Sequence, residues 1–277
     1  MRPSEILGRA TDYLERHDVE SPRQTAEILL QHVLEVDRAG LYARTDGLDA
    51  RESRMFGRAL CQRCAGTPVQ HLIGEQAFRR IVVDVRPGVF VPRPETEVLV
   101  GTALAELGAL EVPVVVDVGT GTGAVALSVK DERPGAKVFA TDRSPEAVAL
   151  ARANAERLDL EVTVLEGDLL EPLPNELRGW IDLVLSNPPY VRPEEYADLP
   201  PEVRADPPLA LVGGVEVYGR LAAQALRWLR DGGLLAVEIG AAHGREVAEL
   251  LGGSLTDVRI HASFHKRDPP IADVAAQ

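Results

Sequence analysis

Through the first 75 residues, apolar side chains recur at three- and four-residue intervals, the spacing of one face of an α-helix. Ile6, Leu7, Ala10 and Leu14 share such a face, which predicts a helix from about Ser4 to Arg16. Ala26, Leu29, Leu30, Val33 and Leu34 share another. Its start is expected at Ser21, a favoured N-cap residue, with Pro22 in the first helical position, where a missing N–H costs nothing. A further helix is expected from Ala50 to Cys64, stopped by Gly66 and Pro68. Stripes of this kind mark packed cores. Residues 1–75 therefore read as a small helical domain.

The period then changes. Ile81-Val82-Val83-Asp84-Val85 alternates every second residue, and residues 76–92 read as a β-hairpin that links two domains. Pro92-Arg93-Pro94 is a rigid step into a helix that starts near Glu95. Glu95 and Glu97 fall in its first turn, where the helix dipole favours acids. Residues 93–277 alternate short apolar runs with helical stretches. Strands are expected at 112–116, 137–141, 162–166, 181–186, 234–239 and 257–262. Helices are expected at 124–131, 145–158, 216–230 and 243–252. This alternation predicts an α/β fold with a doubly wound, mostly parallel sheet. Arg192 to Pro208, with five prolines, reads as a long loop of the kind that often covers or binds a ligand.

Chemistry gathers where the expected strands end. In open α/β sheets, ligands bind outside the carboxyl ends of the strands. The first catalytic-domain strand runs into Asp117-Val118-Gly119-Thr120-Gly121-Thr122-Gly123, whose glycines suit a tight strand-to-helix turn and a close ligand. The next ends in Asp142, 23 positions beyond Gly119 and at the interval of a carboxylate that accepts from ribose hydroxyls. The third ends near Asp168, able to accept from an exocyclic amine. The fourth ends in Asn187-Pro188-Pro189-Tyr190. There an Asn oxygen and the Pro188 carbonyl are two acceptors, uncontested by an N–H from Pro188 or Pro189, and they suit a substrate that presents an NH2 group. Tyr190 adds a flat face for a planar amide or base.

Asp117 to Gly123, Asp142 and Asn187-Pro188-Pro189-Tyr190 together resemble the class I S-adenosylmethionine-dependent methyltransferases that modify planar amine nitrogens. Within that group, Val91-Pro92-Arg93-Pro94-Glu95-Thr96-Glu97 resembles the segment that precedes the catalytic domain of protein-glutamine N5-methyltransferases, those acting on the Gly-Gly-Gln glutamine of peptide chain release factors above all. Leu209-Ala210-Leu211, Gly213-Gly214 and Glu238-Ile239-Gly240 are similar to the family as well. The resemblance spans about Ser21 to Ala248 and is strongest from Phe90 to Tyr190. It implies a seven-stranded Rossmann-like methyltransferase sheet and S-adenosylmethionine as cofactor. It places Gly119, Thr120, Gly121, Thr122, Gly123, Asp142, Asp168, Leu169 and Asn187 at that cofactor, and Asn187, Pro188, Pro189 and Tyr190 at the reacting amide. Where the family carries Trp or Phe after the third-strand aspartate, this chain has Leu169, and Asp268-Pro269-Pro270-Ile271-Ala272 replaces its usual Leu-Ala-Gly-Arg run.

Composition narrows the partners. A net charge of −13 disfavours binding to phosphate backbones, so no nucleic acid is expected; the resemblance implies release factors as the protein partner, and a monomeric enzyme with no membrane contact is expected. A cytoplasmic location is expected, because no apolar run approaches the roughly 20 residues that span a bilayer. Cys61 and Cys64 lie nearly two hundred positions from His261 and His265, so spacing excludes a zinc finger and no metal is expected. Adenine-N6 methylation uses the same acceptors but needs a basic channel. An NAD-dependent oxidoreductase would have no use for the Asn187 motif, and a silent scaffold no need of it. Methylation of a ribosomal-protein glutamine stays open, since the motifs barely separate it from release-factor methylation.

Overall fold

The computed structural model describes residues 2–240, 243–253, 255–263 and 271–276. The chain divides into two compact units, one of residues 1–75 with Pro200–Ala205, the other of 76–199 with 206–277.

The first unit holds α1 (Pro3–Glu15), α2 (Pro22–Leu34), α3 (Arg38–Ala43), α4 (Ala50–Cys64) and α5 (Val69–Ile73). Leu7, Ala10 and Leu14 from α1 bury against Ala26, Leu29, Leu30 and Val33 from α2, with Leu41 and Phe56 closing the core. Ser21 occupies the N-cap position of α2, but its hydroxyl makes no cap hydrogen bond. The turn explains this: Asp18 and Ser21 both have positive φ, and a left-handed cap residue does not aim its side chain at the first-turn N–H groups. Helix α4 has the full reciprocal cap. Asp49 Oδ1 accepts from the Glu52 N–H at 2.7 Å, and Glu52 Oε2 accepts from the Asp49 N–H at 2.8 Å. Arg63 of α4 pairs with Glu202, so the Pro200–Ala205 stretch of the long loop is fastened within the helical unit.

The second unit begins with a two-stranded hairpin, β1 (Glu75–Phe78) and β2 (Ile81–Asp84). Arg79 at its tip binds both carboxylate oxygens of Glu132 and donates to the Glu97 carbonyl at 2.7 Å. The hairpin is thereby part of the catalytic fold. After it come α6 (Thr96–Glu106), β3 (Val114–Val118), α7 (Ala124–Glu132), β4 (Lys137–Asp142), α8 (Pro145–Leu158), β5 (Val162–Glu166) and β6 (Ile181–Ser186). Helices α9 (Pro208–Leu211) and α10 (Glu216–Trp228), strand β7 (Leu229–Ile239), helix α11 (Gly244–Gly252) and strands β8 (Arg259–Ser263) and β9 (Ile271–Ala276) complete it.

The seven-stranded sheet has the order β5-β4-β3-β6-β7-β9-β8, with the first five strands parallel and β9 antiparallel to both neighbours. One apolar cluster packs α6, α7 and α8 on one face, and a second packs α10 and α11 on the other. Several strand bounds differ from the periodicity by a residue or more, those of β3 and β7 the most. Strand β3 continues through Asp117 and Val118, because β4 and β6 flank it and complete its backbone ladder. Strand β7 starts at Leu229, with a register shift against β6 between Ile181 and Leu183 that accommodates Asp231-Gly232-Gly233. Asp268-Pro269-Pro270 and His265 lie outside the described residues, whereas Ile271–Ala276 forms β9.

Candidate active site

The strand order puts the carboxyl ends of β4, β3 and β6 side by side, with Val118 in register with both Thr141 and Ser186. The switch in strand direction of winding, between β3 and β6, is where such sheets form a crevice. The glycine loop leaves β3 on one side of it and Asn187 leaves β6 on the other.

Several side chains shape the loop. The Gly119 and Thr120 N–H groups both donate to the Thr141 carbonyl, at 2.8 and 3.0 Å. Asp142 Oδ2 accepts from the Gly121 N–H and Oδ1 from the Ser144 N–H, each at 2.9 Å. Burial raises the Asp142 carboxyl above its ordinary range, against the lowering effect of these backbone donors. Gly123 closes the turn at φ +86°, and a Cβ there would meet Leu127 and Ala151 at 3.1 to 3.2 Å, so both the backbone and the packing require glycine. On the open side, a Cβ at Gly119 or Gly121 would meet nothing within 4 Å.

Two buried side chains outside the expected site residues hold this loop. Asp117 Oδ2 accepts from the Thr120 hydroxyl at 2.6 Å and the Ala126 N–H at 3.2 Å. Desolvation pushes its carboxyl up to about 7, with those two hydrogen bonds opposing and the Asp142 charge adding to the rise. Asn154 of α8, fully buried, donates to the Thr122 carbonyl at 2.9 Å and the Asp84 carbonyl at 3.1 Å, and accepts from the Asp84 N–H at 2.8 Å. It ties the glycine loop to the hairpin. Asn154 lies on a helix face that reads as core, 70 residues from Asp84, so no local signal marks it.

Across the crevice, the Ser186 hydroxyl donates to the Val118 carbonyl at 2.8 Å, which fixes the end of β6 beside β3. Asn187 Nδ2 donates to Thr96 Oγ1 at 3.0 Å, and Thr96 Oγ1 donates to Glu238 Oε2 at 2.6 Å. Pro188 is buried, and Asn187, Pro189 and Tyr190 are half-buried. Behind them, Gly213 lies so close that a Cβ would stand 2.1 Å from the Pro189 carbonyl oxygen. The Tyr190 ring packs over Gly240, where a Cβ would fall 3.1 Å from Cδ2. Burial, then the Glu238 charge, raises the Tyr190 phenol well above its usual range, so it stays neutral and is no base. The Val191 N–H donates to the Leu211 carbonyl at 2.9 Å, which fastens the tail of the motif to α9. The Leu209-Ala210-Leu211, Gly213-Gly214 and Glu238-Ile239-Gly240 pieces thus converge on Pro189 to Val191.

Asp168 and Leu169 follow β5. Asp168 Oδ2 is engaged by Arg220, and Leu169 takes a positive φ of 49° with its side chain against the α10 cluster. Cys61 and Cys64 are free thiols in the other unit.

Residues 5–74 match the family model described as the PrmC N-terminal domain, and residues 81–199 match the methyltransferase small domain. The chain is 41% identical over 253 residues to the release factor glutamine methyltransferase of Moorella thermoacetica, covering 89% of this chain and 88% of that protein. It is 42% identical over 261 residues to the protein of the same name in Mycolicibacterium smegmatis, covering 91% and 90%. Among solved structures, the N-terminal domain of human METTL16 in complex with SAH aligns with a TM-score of 0.52 at 17% identity, covering 70% of this chain and 75% of that one. A methyltransferase from Pyrococcus furiosus aligns at 0.50 and 19% identity, covering 70% and 87%. These two likenesses concern the fold. With both units matched and identity above 40% over nearly the whole length of each relative, the chain belongs to the release factor glutamine methyltransferases.

Proposed function

We propose that this chain transfers a methyl group from S-adenosylmethionine to the side-chain amide nitrogen, N5, of the Gly-Gly-Gln glutamine in peptide chain release factors, acting as a monomer. The observation that carries the reading is that Asn187-Pro188-Pro189-Tyr190 directly follows β6, whose last residue Ser186 pairs with Val118 of the strand that bears the glycine loop. The residues fit the donor. Gly119 and Gly121 leave one side of the loop open, and the Thr122 and Thr141 hydroxyls are buried without a partner among the described residues. The loop N–H groups and the start of α7 suit a carboxylate such as that of methionine. Asp142 keeps acceptor capacity for ribose hydroxyls, since a carboxylate has about four lone-pair sites and two are used. With Oδ2 of Asp168 held by Arg220, contact with an adenine amine falls to Oδ1, and Leu169 supplies an apolar edge.

When bound, the cofactor supplies an activated methyl on a sulfonium. The chain's part is placement, because a carboxamide nitrogen is a weak nucleophile. Asn187 Oδ1 and the Pro188 carbonyl accept the two N–H bonds of the substrate amide and hold its nitrogen in line. Those bonds strengthen as the nitrogen gains positive charge, so they act mainly in the transition state. Tyr190 packs against the amide plane. No base is required, since the methylated amide is strongly acidic until it loses a proton to water. A Gly-Gly-Gln tripeptide offers far less than the ~1,000 Å² of a specific interface. Release-factor selection therefore falls to a further surface, which this reading assigns to the helical unit.

Asn187→Ala tests the assignment. It is expected to keep the fold and the affinity for S-adenosylmethionine while slowing single-turnover methylation by about 10²–10³, the usual effect of losing one positioned donor or acceptor. Near-normal single turnover would contradict it.

A further inference from the structure

A carboxamide has two ends of nearly equal shape and opposite hydrogen-bonding character, so the way Asn187 is turned decides what its site accepts. We propose that Thr96 and Glu238 are positioning residues that set this orientation, holding Asn187 with its oxygen towards the substrate NH2 and its nitrogen away. The inference rests on the reading of Asn187 as substrate acceptor.

The chain of hydrogen bonds runs in one direction, from Asn187 through Thr96 to Glu238. Thr96 and Glu238 are 4% and 1% exposed, so water does not compete with their contact. The Thr96 hydroxyl carries one hydrogen and donates it to Glu238 Oε2 at 2.6 Å. Thr96 then presents only lone pairs to its other neighbour. Asn187 meets those lone pairs with Nδ2 at 3.0 Å, which leaves Oδ1 as the end turned elsewhere. Turning the amide over would set its oxygen against the lone pairs of Thr96 and its NH2 against the substrate NH2. Both contacts would be repulsive.

Both ends of this relay are themselves held. Thr96 opens α6 three residues after Arg93, which pairs with the fully buried carboxylate of Asp206 and stacks over Phe90 at 5.2 Å. The Val91 N–H donates to the same Asp206 at 3.2 Å. On β7, the Tyr218 hydroxyl donates to the Glu238 backbone carbonyl at 3.0 Å. A relay fixed at two elements can hold a third side chain in place, and a misplacement of about 1 Å at the reacting groups costs on the order of 10² in rate.

The test uses the full chain with intact release factor in single turnover at saturating S-adenosylmethionine. Thr96→Val removes the hydroxyl and keeps the branched shape; Thr96→Ser keeps the hydroxyl. Thr96→Val is expected to slow transfer by about 10–100-fold, with cofactor Kd and release-factor KM little changed. Thr96→Ser is expected to restore most of the rate, which a packing role for the methyl group would not do. In an Asn187→Ala background, Thr96→Val is expected to add almost nothing, since its effect runs through Asn187. Should the valine variant fail to fold, Thr96→Ala carries the same comparison. A hydroxyl-free variant with normal turnover beside a slow Asn187→Ala would overturn this inference alone. So would losses that multiply in the double variant. A normal Asn187→Ala would instead remove the reading on which the inference stands.

Discussion

Asp117 shows how much the site asks of single residues. It sits in the central strand, 1% exposed, where an ionised carboxylate is costly. Thr120 and Ala126 donate to it, yet desolvation still outweighs them and carries its pKa from 3.8 to about 7. A folded pKa above the unfolded one means that the folded state binds the proton more tightly. The associated stability is present below pH 3.8 and is lost as the pH rises to about 7. Asp117→Asn removes that titration while keeping an oxygen for Thr120. The stability of the variant relative to the natural chain should therefore be more favourable at pH 8 than at pH 5, and level above about 7. Thermal unfolding at the two pH values checks this, and an unchanged difference would contradict the burial argument. Asn187, Thr96 and Asn154 make the complementary point. Each is neutral, so each can be buried at modest cost and fix a neighbour by the direction of its hydrogen bonds.

Elements do the work that residues cannot do alone. The Asn-Pro-Pro-Tyr segment lacks two backbone donors and cannot continue the ladder of β6, so other segments must hold its shape. Gly213 and Gly240 do so by close approach. Gly213→Ala would drive a Cβ to 2.1 Å from the Pro189 oxygen, a backbone atom with little freedom to move. Overpacking of this kind costs about 1–3 kcal/mol. Methylation is expected to fall by at least ~10-fold while cofactor affinity stays near normal, because a one-ångström shift is felt at the reacting atoms but not in the glycine loop. Calorimetry and a turnover assay on the same preparation separate the two, and a loss confined to cofactor binding would contradict the placement. This is also the scale at which the sequence stops speaking. Periodicity marks α1, α2, α4 and strands β3 to β7, because burial on one face or two is written into neighbouring residues. The glycine loop, Asp142 and the Asn187 motif are legible for the same reason, being contiguous. Thr96 and Glu238 stand 142 residues apart and Asn187 and Thr96 stand 91 apart. One reads as a helix start and the other as a strand residue. Only the fold shows that they meet. Ser21 erred in the opposite sense, since its composition promised a cap that the left-handed turn prevents.

At the scale of the whole molecule, two compact units share a chain that leaves the catalytic unit after Leu199, passes through the helical unit from Pro200 to Ala205 and returns at Asp206. Asp206 is anchored on Arg93 and Val91, three and five residues before Thr96, so the returning loop is tied to the segment that leads into α6. The chain carries a net charge of −13, which favours a partner with a basic face over a phosphate backbone. The central claim concerns the atom that receives the methyl. The most direct measurement is to incubate the full chain with labelled S-adenosylmethionine and an equimolar mixture of intact release factor and ribosomal proteins, then locate the label by mass spectrometry of the digested products. The account predicts one methyl on the side-chain amide of the Gly-Gly-Gln glutamine of the release factor. Label on a ribosomal protein, or on any atom of the release factor other than that nitrogen, would contradict it.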